Sequence, residues 1–89
     1  MYDVVTAVKT AARIRHSLLD SEIHRLEIAA RDELIRAGVP DTIAVSEEAL
    51  IVQAVVTKCL VDIVEEKYRE RYEQSWTLQL DNLRKHTWL

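Results

Sequence analysis

The chain has 89 residues, of which 48% are hydrophobic and 30% charged, with a single glycine, a single proline and a formal net charge of -3. That is enough chain for one domain, too apolar for a disordered segment and too poor in turn residues for a sheet protein, so a single all-α domain over 1–89 is expected. The net negative charge argues against a dedicated nucleic-acid binder, whose hold on phosphate comes mainly from surplus Lys and Arg.

The first helix is expected from Asp3 to about Ile14, where Val5, Val8 and Ala12 recur at helical spacing and Asp3 can cap the start. A basic turn at Arg13, Arg15 and His16 follows, and Ser17 or Asp20 can cap a second helix reaching Ala37. Its apolar stripe is Leu19, Ile23, Leu26, Ala30, Leu34 and Ala37, with Glu22, Arg25, Glu27, Arg31, Asp32 and Arg36 mostly on other faces. Gly38 stands where a left-handed C-terminal cap needs a residue without a Cβ, Val39 can pack back, and Pro40 stops continuation.

Ser46, followed by Glu47 and Glu48, suits the start of a third helix. From Ala49 to Val64 its apolar residues surround the axis, which implies burial on several sides and makes this helix the expected centre of a small bundle of about four. The last helix sets Tyr68, Tyr72, Trp76, Leu80 and Leu83 on roughly one face. With no Gly or Pro between them, the third and fourth helices either bend near Tyr68 to Glu70 or run on as one rod.

Few residues point to chemistry. Cys59 lies in an apolar run and reads as a buried thiol, with no partner for an internal disulfide. Met1-Tyr2-Asp3 does not open a secretory signal, and Gln53, Thr57, Lys58 and Asp62 interrupt the longest apolar segment, so a soluble intracellular protein without a membrane span is expected. The histidines are scattered, and Asp20 with His24 forms a surface pair rather than a metal site. The carboxylates of Asp62, Glu65, Glu66, Glu70 and Glu73 alternate with Lys67, Arg69 and Arg71 as on a solvated helix face, with Glu65 and Arg69 at ion-pair spacing. Neither catalysis nor a cofactor is expected. The basic clusters Arg13-Arg15-His16 and Arg84-Lys85-His86 suit helix ends or an acidic protein surface better than nucleic acid. Trp76 reads as core, whereas Trp88 beside Leu89 is equally suited to anchoring another subunit.

Taken in order, Asp3-Val4-Val5, Val8-Lys9, Ala12-Arg13-Ile14, Asp20-Ser21-Glu22-Ile23, Ala29-Ala30-Arg31-Asp32-Glu33-Leu34, Ala37-Gly38-Val39, Leu50-Ile51, Gln53-Ala54, Glu70-Arg71-Tyr72, Ser75-Trp76 and Leu83 cover nearly the whole chain. In this order and spacing they resemble the head-to-tail connector family of tailed bacteriophages, also called head-completion adaptors. The resemblance implies a helical subunit of a homo-oligomeric ring beneath the portal protein, in the neck of the virion, assembled in the host bacterial cytoplasm. Such a ring extends the channel through which double-stranded DNA passes without sequence-specific binding, and docks a stopper or tail-completion protein. The C-terminal segment would engage the portal, making Trp76, Leu80, Leu83, Arg84, Lys85, Trp88 and Leu89 the candidates, while Ile51, Val55, Val56 and Tyr72 are candidates for subunit contacts. The competing reading is a small helical DNA-binding regulator or another helical interaction module. A regulator wants an exposed polar recognition helix, and the helix after Pro40 is apolar instead.

Overall fold

The computed structural model describes residues 4–86, so the expected cap at Asp3 and the Trp88 and Leu89 candidates lie outside the described residues. Among the described residues the chain is helical and has no strand: α1 Val4–Ala12, α2 Asp20–Arg36, α3 Asp41–Ala44, α4 Ala49–Ile63 and α5 Glu66–Lys85. The short α3 fills the connection that the sequence leaves as a loop. The other four helices correspond to the expected ones.

α1 closes without glycine. Arg13 takes a φ of 60°, and two bonds close the turn in the Schellman pattern, from Arg13 N–H to the Thr10 carbonyl at 3.2 Å and from Ile14 N–H to the Lys9 carbonyl at 2.8 Å. An arginine in this left-handed region crowds its Cβ against the backbone, which gives the sequence no signal that α1 stops at Ala12. Lys9 then reaches Asp20 at 2.9 Å and ties α1 to the first turn of α2. Neither Ser17 nor Asp20 caps α2. Leu19 occupies the N-cap position without a side-chain bond, and Asp20 sits in the first turn, where its charge favours the helix dipole.

The C-terminus of α2 forms as the sequence predicts. Gly38 has a φ of 108°, its N–H bonds the Ile35 carbonyl at 3.0 Å, and the Val39 N–H bonds the Leu34 carbonyl at 3.0 Å. Val39 and Leu34 are both buried in the same core, which is the apolar contact that accompanies this motif. Along α2, Ile23, Ala30 and Leu34 are buried, with Leu19 and Leu26 packed against them.

Arg31, which the sequence places off the apolar stripe of α2, is largely enclosed. Its side chain is 13% exposed and pairs with Glu27 at 3.1 Å, and its guanidinium donates to the carbonyls of Ala44 at 3.0 Å and Ser46 at 2.7 Å. One arginine therefore fastens α2 to the end of α3 and to the chain entering α4. The cap of α4 is shared. Ser46 Oγ accepts from the Glu48 N–H at 3.2 Å, and Glu48, at the N-cap, accepts from the Leu50 N–H at 2.9 Å.

α4 lies at the centre and packs against α1, α2 and α5. Ile51, Val52, Ala54, Val55, Cys59, Leu60 and Val61 are all buried, as the absence of a single apolar stripe predicts. The chain supplies those neighbours itself. The radius of gyration is 12.6 Å, against about 12 Å for a compact domain of this length.

α4 and α5 are neither a continuous rod nor bent at Tyr68 to Glu70. The break falls earlier, where Val64 (ψ 161°) and Glu65 (ψ 149°) are extended. Extended backbone suits a β-branched valine and needs neither Gly nor Pro. Arg69 Nε turns back to the Val61 carbonyl at 3.2 Å, satisfying an acceptor in the last turn of α4. This displaces the expected pairing of Arg69 with Glu65, and Glu65 instead lies 3.6 Å from Lys67. Further along, Gln79 of α5 donates to Thr57 Oγ1 of α4 and to Ser75 Oγ, each at 3.0 Å.

Candidate interaction surfaces

The described residues bring together no group of three or more His, Cys, Asp or Glu able to hold a metal ion. Cys59 is fully buried, and burial pushes its thiol up to about 12, with Glu27 and Asp62 adding to the shift against the opposing charges of Arg31 and Lys58. A thiol so protonated is a poor nucleophile. His16, His24 and His86 are each exposed, in the α1–α2 loop, on α2 and after α5 respectively. No described helix is long and apolar enough to cross a membrane.

The grooves lie towards the two ends of the bundle, while Ile28 on α2 and Leu78 on α5 are exposed along its sides. One end gathers the close of α1, the α1–α2 loop, the end of α4 and the start of α5 around a groove of about 780 Å³. Ala12, Ile14, Leu19, Ile63 and Val64 make its apolar surface, while Arg13, Arg71, Tyr68 and Tyr72 also line it. Tyr68 is 48% exposed, unlike the other members of the expected α5 stripe, and Leu18 in the adjoining loop is 85% exposed. Neither Arg13 nor Arg71 forms an ion pair within 4.0 Å among the described residues, and Glu65, the groove's acid, has Lys67 beside it.

The opposite end is formed by the chain entering α4 and the last turns of α5. A groove of about 450 Å³ runs along the first half of α4 past Glu47, Ala49, Val52, Gln53 and Val56. A smaller one lies between Leu50 and Gln53 of α4 and Gln79, Asn82, Leu83 and His86 at the end of α5. Val45 is 61% and Leu50 45% exposed, flanking the exposed acids Glu47 and Glu48.

The residues proposed from the sequence divide between core and surface. Of the subunit-contact candidates, Ile51 and Val55 have no exposed surface, because α4 is enclosed by α1, α2 and α5; in this conformation they hold the subunit together and present nothing to a neighbour. Val56 and Tyr72 are half-buried, and each lines one of the grooves. Of the portal-binding candidates, Trp76 and Leu83 are core residues, Trp76 with the Lys58 ammonium 5.7 Å from its ring centroid. Leu80 is half-buried, whereas Arg84 and Lys85 are exposed, the latter bonded to Asp81 at 3.0 Å. Sequence reasoning missed the groove beside Arg13, since its lining comes from segments remote in the chain and only the tyrosines and the basic turn hint at it. No family model matches the chain, and no curated protein or solved structure matches it significantly.

Proposed function

We propose that the protein is a structural subunit of a phage head-to-tail connector, forming a ring beneath the portal that extends the DNA channel and receives the stopper or tail. The observation that carries this reading is the distribution of open surface. The bundle completes its own core yet keeps exposed apolar side chains, Leu18 and Tyr68 beside arginines at one end, Val45 and Leu50 beside acids at the other, and Ile28 and Leu78 along α2 and α5 between them. Surfaces of that kind suit protein contacts. The sequence resemblance supplies the particular assembly, and the C-terminal end of α5, with Arg84 and Lys85 exposed, is the side assigned to the portal.

The reading is tested by light scattering of the chain mixed with its cognate portal ring. Saturable binding is expected, and Trp88→Ala should weaken it while leaving helicity unchanged. Absence of binding at high micromolar concentration overturns the connector reading, and a large loss of helicity in the variant removes Trp88 from the portal contact.

A further inference from the structure

The charges that line the open apolar surfaces differ in sign between the two ends, although exposed Arg84 also lies at the acidic end and exposed Asp62 and Glu66 lie close to the basic one. At the grooved end, Arg13 and Arg71 flank an apolar surface, and Arg15 follows in the adjoining loop, none with a carboxylate within 4.0 Å among the described residues. Glu65 also lines the groove, 3.6 Å from Lys67, while Glu66, Glu70 and Glu73 lie about 100° to 160° from Arg71 around α5 at the helical advance of about 100° per residue. At the other end, exposed Asp41, Glu47 and Glu48 have no ion pair among the described residues, although Glu48 also caps α4. Glu47 and Glu48 lie between Val45 and Leu50, whose exposed side chains supply the apolar part of this tip.

From this complementarity we infer that the tip of one copy, Val45 to Leu50, seats in the groove of a second copy between Arg13 and Arg71, with Leu50 and Val45 on Ile14, Leu19 and Val64 and Glu47 facing the arginines. The inference rests on the ring reading above and adds the contact by which copies join. A chain cannot satisfy itself this way. The 15 residues of α4 separate tip from groove by about 22 Å, at about 1.5 Å per residue. The contact is therefore between unlike surfaces, which generates a closed ring when the rotation per copy closes and a filament when it does not.

The test uses the exposed residues Glu47 and Arg71, neither of which forms an ion pair among the described residues. Sedimentation velocity compares wild type, Glu47→Arg, Arg71→Glu, their equimolar mixture and the double variant, each alone and with the portal ring, and circular dichroism monitors helicity. Each single variant should associate at least about tenfold more weakly than wild type, since it sets like charges face to face. The mixture should recover, because the reversed tip of one variant then meets the reversed groove of the other with opposite sign, while the native Glu47 and Arg71 meet at the alternate contact. The double variant should recover as well. Single variants that assemble as wild type does, or a mixture that fails to recover, overturn this contact and leave the ring reading standing. A wild-type chain that assembles neither alone nor on the portal overturns both.

Discussion

Truncating Ile51 to alanine removes three carbons from a side chain with no exposed surface, packed in the core that α4 shares with its neighbours. At about 0.8 kcal/mol per methylene-sized group the transfer loss is about 2.4 kcal/mol, and the cavity left behind raises the cost to about 3 to 4 kcal/mol. A chain of 89 residues has a total stability of about 4 to 13 kcal/mol, so this single change consumes a large fraction of it. The melting temperature should fall by roughly 12 to 32 °C at about 4 to 8 °C per kcal/mol. Ile51→Val, which opens a smaller cavity, should cost about 1 kcal/mol. The assay is urea and thermal unfolding followed by circular dichroism at two protein concentrations a hundredfold apart. The loss should be the same at both, because the cavity lies inside one subunit. A variant within about 0.5 kcal/mol of wild type, whose assembly alone weakens on dilution, would place Ile51 between subunits and refute its position in the core.

Three further substitutions probe how the helices are joined. Arg13→Gly should raise stability by up to about 1 kcal/mol in urea titration, since glycine adopts the φ of 60° found there without the Cβ conflict; a clear loss would contradict that backbone. Arg31→Ala strips the Ala44 and Ser46 carbonyls of their donor and deprives Glu27 of its nearest cation, at about 2 to 4 kcal/mol by the urea midpoint. Arg31→Lys should recover less than half of that, because an ammonium lacks the planar fork, and full recovery would reduce the contact to simple charge. The Cys59 thiol should resist a maleimide or disulfide reagent in the native protein at pH 8 and react once denaturant is added. Its pKa is raised from 9.0 to about 12, so the folded chain holds a proton that the unfolded chain releases. The stability of wild type relative to Cys59→Ala should therefore be constant below pH 9 and decline from pH 9 towards 12. A rise over that window would reverse the sign and contradict the burial.

Periodicity and the chemistry of Gly38 account for what could be read without coordinates. The stripe of α2, its termination at Gly38, the enclosure of α4 and the core position of Trp76 all express local spacing or a local φ requirement. The features that escaped depend on residues brought together by the fold. Arg31 sits among charged neighbours at helical spacing, and nothing local marks the carbonyls of Ala44 and Ser46 as its acceptors. The break at Val64 and Glu65 carries no turn residue, because extended backbone is open to any side chain, and the bond from Arg69 to Val61 becomes possible only once the chain has reversed. At the level of sequence the all-round apolar character of α4 asks for a neighbouring subunit, beyond what the chain's own helices provide. Packing by α1, α2 and α5 decides for the chain's own helices at Ile51 and Val55 and leaves Val56 at the edge of a groove. Interaction surfaces are less legible than cores because exposed residues carry no periodic constraint, and the groove near Arg13 joins residues from α1, the loop, α4 and α5.

The central claim is that this helical subunit assembles in multiple copies on a portal ring. Native mass spectrometry of the chain titrated onto its cognate portal ring tests it most directly. The account predicts a complex at one discrete mass, carrying a fixed number of copies sufficient to close a ring, with partly filled species giving way to it as the chain is added. A spectrum in which the portal ring keeps its own mass while the chain remains monomeric contradicts it.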